Sequence, residues 1–476
     1  MAMASLVDRD LAVFWHPCSQ MRDYGDFPPL EVASARGARL TLGDGRVVLD
    51  AVSSWWCKSL GHGHPGVRAR IEAQLDRFEH VIAANTTNRP LVELCERLLR
   101  MANGAPAPQW GPDAPTGTEQ GGHFGKVFLA DNGSTAVEIA LKMAVQAHAQ
   151  RGQPQRTRFA ALDGGYHGET VGALSVGDLG LYAQPYQALM FPVAKLGPLP
   201  VRSGPDDPRW LDASEEWPAL EAALAPLIGT LAAVIYEPVL QAAGGMRLYS
   251  PDLLVRLRRW ADAHGVYLIA DEIAAGMGRL GTMLASHLAP APRSALPDFA
   301  LLSKGLTAGF LPLSAVLTTN EIFACFDGDW AERRAFLHSN THTGNALGIA
   351  AALGALDAYA TEEVLPRVAV EGARLRALLA GVVAARATLA GMRGCGMVAA
   401  VDLRAADGGV LEPARRTGYR VYREAVARGA LLRPLGDTLY LCPPLNTPAE
   451  DLDRMVAILA ASVDAVLGRG PAERMT

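Results

Sequence analysis

Lysine is scarce in this 476-residue chain: Lys58, Lys126, Lys142, Lys195 and Lys304 stand against 39 arginines (44 Lys+Arg minus 5). A basic tract is also missing. The formal net charge is −5 with both signs scattered, so a nucleic-acid or other polyanionic partner is excluded. No apolar run reaches membrane-spanning length; "LAAVIYEPVL" is broken by charge and proline, and Arg374, Arg376 and Arg386 interrupt the alanine-rich stretch near the end. The start, "MAMASLVDRDLAVFWHP", lacks a basic segment followed by an apolar one and does not read as a signal peptide. Six cysteines lie far apart with no C-x-x-C pair, which argues against a disulfide framework and a zinc site. A reducing, cytoplasmic protein acting on small molecules, with no membrane and no metal, is expected.

What is present is an ordinary globular composition, half hydrophobic and one fifth charged, long enough for two or three domains. "GARLTLGDGRVVLDAVSSWW" alternates apolar and polar residues around Gly-Asp-Gly and reads as a β-hairpin. Helical periodicity follows from about residue 66. Residues 102–122 and 195–218 read as Gly/Pro-rich surface loops. The middle then alternates "KVFLAD", "RFAALDGG", "LAAVIYEP", "VYLIADEI" and "DFALLS" with helical stretches. Buried strands joined by helices predict an α/β large domain with a mostly parallel sheet, and the remainder predicts a smaller α+β domain. The expected division is 1–65 as an N-terminal segment contributing to the small domain and substrate site, 66–345 as the large domain, and 346–476 as the C-terminal small domain.

In such a sheet ligands bind at the carboxyl ends of the strands. After "KVFLAD" comes "NGSTAVE", where Gly133 and Ser134 open a helix able to take a phosphate. Thr135 and Glu138 have capping-box spacing, and an ordinary capped helix is the competing reading. Neither the Walker ending nor the G-x-G-x-x-G fingerprint is present, which disfavours a nucleotide-dependent dehydrogenase. After "RFAAL" comes "DGGYHGET", where Tyr166 could offer a ring face. After "VYLIA" comes Asp271, either a cap, an ion pair to Arg279, or the partner of a ligand atom held positive. After "DFALLS" comes Lys304. An ammonium can be deprotonated by desolvation whereas a guanidinium cannot, and only the neutral amine forms a Schiff base. Phosphate cradle, aromatic, acid and lysine together describe a pocket for pyridoxal 5'-phosphate, with Asp271 on the pyridine nitrogen and Lys304 on the aldehyde carbon.

The chain resembles the class III (ω-type) aminotransferases of pyridoxal phosphate fold type I over nearly its whole length. The resemblance rests on "DNGSTAVEIALKMA", "YHGET", "YEPVLQAAGGM", "IADEIAAGMGRLGT", "LLSKG" and "HTGNALGIAAALGALD". "FWHPCSQM", "LDAVSSWWCKSLGHGHP" and "RPLGDTLYLCPP" are similar to a branch of biotin biosynthesis that aminates 8-amino-7-oxononanoate, with S-adenosylmethionine or, in some relatives, lysine as donor. An ω-amino acid or diamine aminotransferase, an aminomutase, or a non-catalytic cofactor-binding protein are the alternatives. The resemblance implies that Lys304 holds the cofactor and shuttles a proton, that Asp271 pairs with the pyridinium, that Tyr166 lies against the ring, and that Gly133 and Ser134 bind phosphate. It implies that Thr341 reaches the phosphate of a neighbouring subunit, hence a homodimer with shared sites. Trp55 and Trp56 would line the substrate pocket, and Arg433 would take the substrate carboxylate. Cys18 stands where one branch has a substrate-contacting tyrosine, and Glu169 where other members have aspartate.

Overall fold

The computed structural model describes residues 4–117 and 121–468. Its centre is a seven-stranded sheet whose strands, numbered along the chain, are β1 (Lys126–Ala130), β2 (Arg158–Leu162), β3 (Val193–Leu196), β4 (Leu231–Tyr236), β5 (Tyr267–Asp271), β6 (Phe299–Leu302) and β7 (Ser314–Thr318). They lie in the order β1-β7-β6-β5-β4-β2-β3. All run the same way except β7, which is antiparallel to both β6 and β1. The connection from β6 to β7 carries only a short turn, and a strand that returns without a crossover helix must pair antiparallel.

The strands are apolar on both sides because helices cover both faces. In β6, Phe299 and Leu301 join the core under the helix Gly133–Gln150, while Ala300 and Leu302 face the opposite core. In β5, Tyr267 and Ile269 face the first core, and Leu268 and Ala270 pack with Leu253, Leu254 and Leu257 of the helix Asp252–His264. The helix Ala346–Thr361 is buried nearly all round. A side chain at Gly354 would meet the backbone of Val67 at 2.8 Å, so glycine lets this helix close on the helix Pro65–Leu75.

Three smaller sheets stand beside the large one, the least of them the antiparallel pair Leu240–Gln241 and Arg247–Leu248. Leu389–Cys395, Val398–Leu403 and Thr438–Leu441 form an antiparallel three-stranded sheet. Val32–Arg36, Arg39–Leu42 and Val47–Asp50 form an antiparallel meander, and Ala430–Leu431 adds to its edge in parallel with Val47–Asp50. The expected hairpin therefore ends at Asp50, and "SSWW" is not its continuation. Ser53–Trp56 form a tight bend, because Asp50 turns its carboxylate back onto the following backbone. The stretch 195–218 is only partly a surface loop. Trp210 and Arg202 are buried in it, with Arg202 donating to Glu216 at 2.9 Å. Residues 118–120, within the expected loop 102–122, lie outside the described residues; Trp110 of that loop is buried.

Arg393 ties the three-stranded sheet to the segment after β4. It is buried, donates twice to Asp402 at 2.9 and 3.0 Å, and donates to the carbonyls of Gly245 and Met246. Arg393→Ala should cost about 2–4 kcal/mol, somewhat under a fully buried pair because Asp402 keeps 31% of its side-chain surface in water. A lowered midpoint of thermal unfolding checks this.

Candidate active site

Gly133, Ser134, Tyr166, Asp271 and Lys304, with Trp55, Trp56 and Arg433, open onto one connected depression at the carboxyl ends of β1, β2, β5 and β6, and Thr341 does not. An inner cavity of about 210 Å³ is bounded by Gly133, Ser134, Tyr166, Asp271 and Lys304. It shares Trp56, Ser134, Tyr166 and Lys304 with an outer cavity of about 790 Å³ that extends past Trp55 to Arg433.

One end of the inner cavity is built by a helix start and a glycine. Asn132 is the cap: its side chain accepts from the Thr135 amide at 3.0 Å. The Thr135/Glu138 capping box is not formed, because Glu138 reaches across to accept from the Thr170 hydroxyl at 2.7 Å and the Gly172 amide at 2.8 Å. The amides of Gly133 and Ser134 thus remain at the open first turn, where an anion is favoured. Gly168, at φ +123°, passes so close that a side chain there would overlap the Ser134 hydroxyl.

The acid sits at the end of the central strand. Asp271 is 3% exposed; one oxygen accepts from His167 Nδ1 at 2.8 Å and the other from the Ile273 amide at 3.1 Å. It forms no ion pair with Arg279, whose guanidinium donates instead to the carbonyl of Pro443 at 2.6 Å and to that of Met397. A buried aspartate held by an imidazole and one amide keeps acceptor capacity for a protonated ring nitrogen.

Lys304 follows β6 with its backbone at φ 42°, a left-handed conformation uncommon outside glycine. Its Nζ lies 5.4 Å from the Trp56 ring centre. Burial pushes its ammonium below the usual lysine range, against the opposing pull of Asp271 and Glu237. Glu237, itself buried, accepts from the amides of Tyr166 and Ala242, each at 3.0 Å. Burial, then the neighbouring Asp271, push its carboxyl up to about 8, so it holds a proton near neutrality.

Tyr166 donates its hydroxyl to Glu169 at 2.9 Å, and burial raises its phenol pKa. Trp56 is buried and donates to the Tyr440 hydroxyl at 3.1 Å, whereas Trp55 is 41% exposed. The Arg433 guanidinium lies 4.4 Å over the Trp55 ring and donates to the Cys18 carbonyl at 3.0 Å. Arg433 pairs with no carboxylate among the described residues. Cys18 reaches Glu169 at 3.9 Å. Thr341 is exposed and lines neither cavity, its carbonyl accepting from His80 at 2.8 Å.

His167 and Glu237 carry weight that the sequence analysis did not assign. The signal for both was available: Glu237 ends the apolar strand β4 just as Asp271 ends β5, and a buried acid needs a donor, which His167 supplies. The arrangement fits a flat, phosphorylated aldehyde. It offers free helix amides with a clearance only glycine permits, an acid for a ring nitrogen, and an amine of lowered basicity. No group of metal-ligating side chains occurs among the described residues.

The family model described as aminotransferase class-III matches residues 20–463. The chain is 39% identical to an adenosylmethionine-8-amino-7-oxononanoate aminotransferase of Synechococcus elongatus, covering 95% of this chain and 98% of that protein. It is 35% identical to the protein of the same name from Geobacter sulfurreducens, over 98% of each. Among solved structures, one so named from Methanocaldococcus jannaschii superposes with a TM-score of 0.87 at 28% identity, covering 97% of this chain and 99% of that one. A PLP-bound amine transaminase from an uncultivated Pseudomonas species gives 0.84 at 34% identity, covering 95% and 99%. By its family match, its relatives and its fold, the chain belongs to the class III aminotransferases.

Proposed function

We propose that the chain catalyses the pyridoxal 5'-phosphate-dependent amination of 8-amino-7-oxononanoate to 7,8-diaminononanoate, a step of biotin biosynthesis, with S-adenosylmethionine as amino donor. The observation that carries this reading is the single outer cavity that has Lys304 at one end, Arg433 at the other and two tryptophans between. An apolar chain with a terminal carboxylate needs a reacting group, an apolar wall and a distant cation, in that order. The name shared by the relatives supports the same substrate.

When bound, pyridoxal phosphate supplies an aldehyde carbon and an electron-accepting ring that carries an amino group between donor and acceptor. The amides of Gly133 and Ser134 would hold its phosphate, Asp271 would keep the ring nitrogen protonated, and Tyr166 would bound the ring. Lys304 Nζ would hold the aldehyde carbon and, as a neutral amine, would take a proton at the donor's reacting carbon and return one to the acceptor. Its lowered basicity raises the neutral fraction that can do so. Arg433 orients the acceptor by its carboxylate.

The same reading takes the enzyme as a homodimer in which Thr341 would reach the phosphate of the neighbouring subunit; its exposure in its own chain supports this. Its six free thiols suit the cytoplasm.

Purified protein given 8-amino-7-oxononanoate should form 7,8-diaminononanoate faster with S-adenosylmethionine than with lysine. Pyruvate amination alone would instead assign an ω-amino acid aminotransferase. Lys304→Ala should abolish both turnover and the visible absorbance of covalently held cofactor. Gly168→Ala should weaken cofactor binding about tenfold, measured by titration of the apoenzyme. Arg433→Ala should raise KM for the oxononanoate about 10- to 100-fold while kcat changes little.

A further inference from the structure

The bend that carries both tryptophans is strained and contains no glycine. Ser53, Ser54 and Trp56 have φ of 51°, 60° and 63°, and Ser54 combines this with ψ −80°. Side chains with a Cβ avoid this region, and such a conformation persists only where its surroundings over-determine it.

One carboxylate does most of that. Asp50 is fully buried, and both of its oxygens accept from the Ser54 amide, at 2.9 and 2.7 Å. The same carboxylate accepts from the Ser54 hydroxyl at 3.0 Å, from His62 Nε2 at 2.9 Å and from the Val52 amide at 3.3 Å. His62 is held in turn, its amide and carbonyl both bonded to Gly37 at 2.8 and 2.9 Å. On the far side of the bend, the Ser53 hydroxyl donates to the Cys442 carbonyl at 2.7 Å. Asp50 also pairs in register with Leu431, two residues before Arg433. The bend is therefore fixed to the strand that delivers the cation.

None of these groups touches the cavity, yet the bend sets what does. It places Trp55 against Arg433 at 4.4 Å and Trp56 against Lys304 at 5.4 Å, at the two ends of the outer cavity. We propose that Asp50, with His62 behind it, is a positioning residue that holds Ser53–Trp56 in its left-handed bend and so aims the two tryptophans that grip the substrate's apolar chain. This rests on the reading of the outer cavity as the site of a carboxylate-bearing acceptor.

The test uses cofactor-loaded enzyme. Asp50→Asn and His62→Leu should raise KM for 8-amino-7-oxononanoate about tenfold while kcat stays within about threefold, since the bend acts on substrate grip and not on the proton transfer. His62→Gln, which keeps a donor toward Asp50, should recover KM to within about threefold of the parent. The near-UV circular dichroism band that Trp55→Phe removes should also shrink in Asp50→Asn, with the visible cofactor band unchanged. An unaltered KM in both variants, or an intact tryptophan band, overturns the proposal. So does a joint loss of kcat and cofactor that His62→Gln does not relieve, which would make the pair merely structural. If the parent enzyme itself does not turn over 8-amino-7-oxononanoate, the reading of function fails, while the dichroism arm still reports whether Asp50 aims Trp55.

Discussion

A carboxylate at the end of the central strand, in the middle of an apolar sheet, is the constraint from which the rest of the site follows. Asp271 has almost no access to water, and a buried acid must find donors inside the protein. It takes His167, which fixes the loop after β2 over the end of β5. With that loop fixed, Tyr166 and Gly168 have little choice of place. Tyr166 closes one side of the inner cavity, and Gly168 is brought against Ser134 at the start of the helix that follows β1. The clearance beside Ser134 and the aromatic wall of the inner cavity are thus consequences of satisfying one charge.

The electrostatics around Lys304 balance in the same confined space. Two acids face it, and two full negative charges there would hold its ammonium protonated. Burial and mutual repulsion push Glu237 up to about 8, so the lysine meets less negative charge than the count of carboxyls suggests. Desolvation then prevails and lowers the basicity of the amine. Arginine, abundant elsewhere in the chain, could not respond in this way.

The sheet and its strand-end residues were legible in the sequence because each signal is local: an all-apolar run, then a residue too polar for its neighbourhood. Asp271 and Lys304 stand out by that rule, and Glu237, followed by a proline, obeys it too. Contacts between distant parts of the chain leave no such trace. Nothing in "NGSTAVE" says that Glu138 will turn away to Thr170 and leave Asn132 as the cap. Nothing in "LDAVSSWW" says that the strand stops at Asp50, since the bend depends on His62 and on a carbonyl contributed by Cys442. The neighbourhood of Arg433 and Trp55 is likewise a product of the fold alone.

The parallel pairing of Val47–Asp50 with Ala430–Leu431 has a consequence for how the molecule is made. Ser53 and the Cys442 carbonyl that holds it are 389 residues apart. On the ribosome the amino-terminal meander emerges early, with one edge unpaired until nearly the whole polypeptide has been translated. The large sheet, with Lys304 and Asp271, can close first. The tryptophan-lined half of the cavity is the last to be assembled, and truncated nascent chains carry an open strand edge that invites association with other chains.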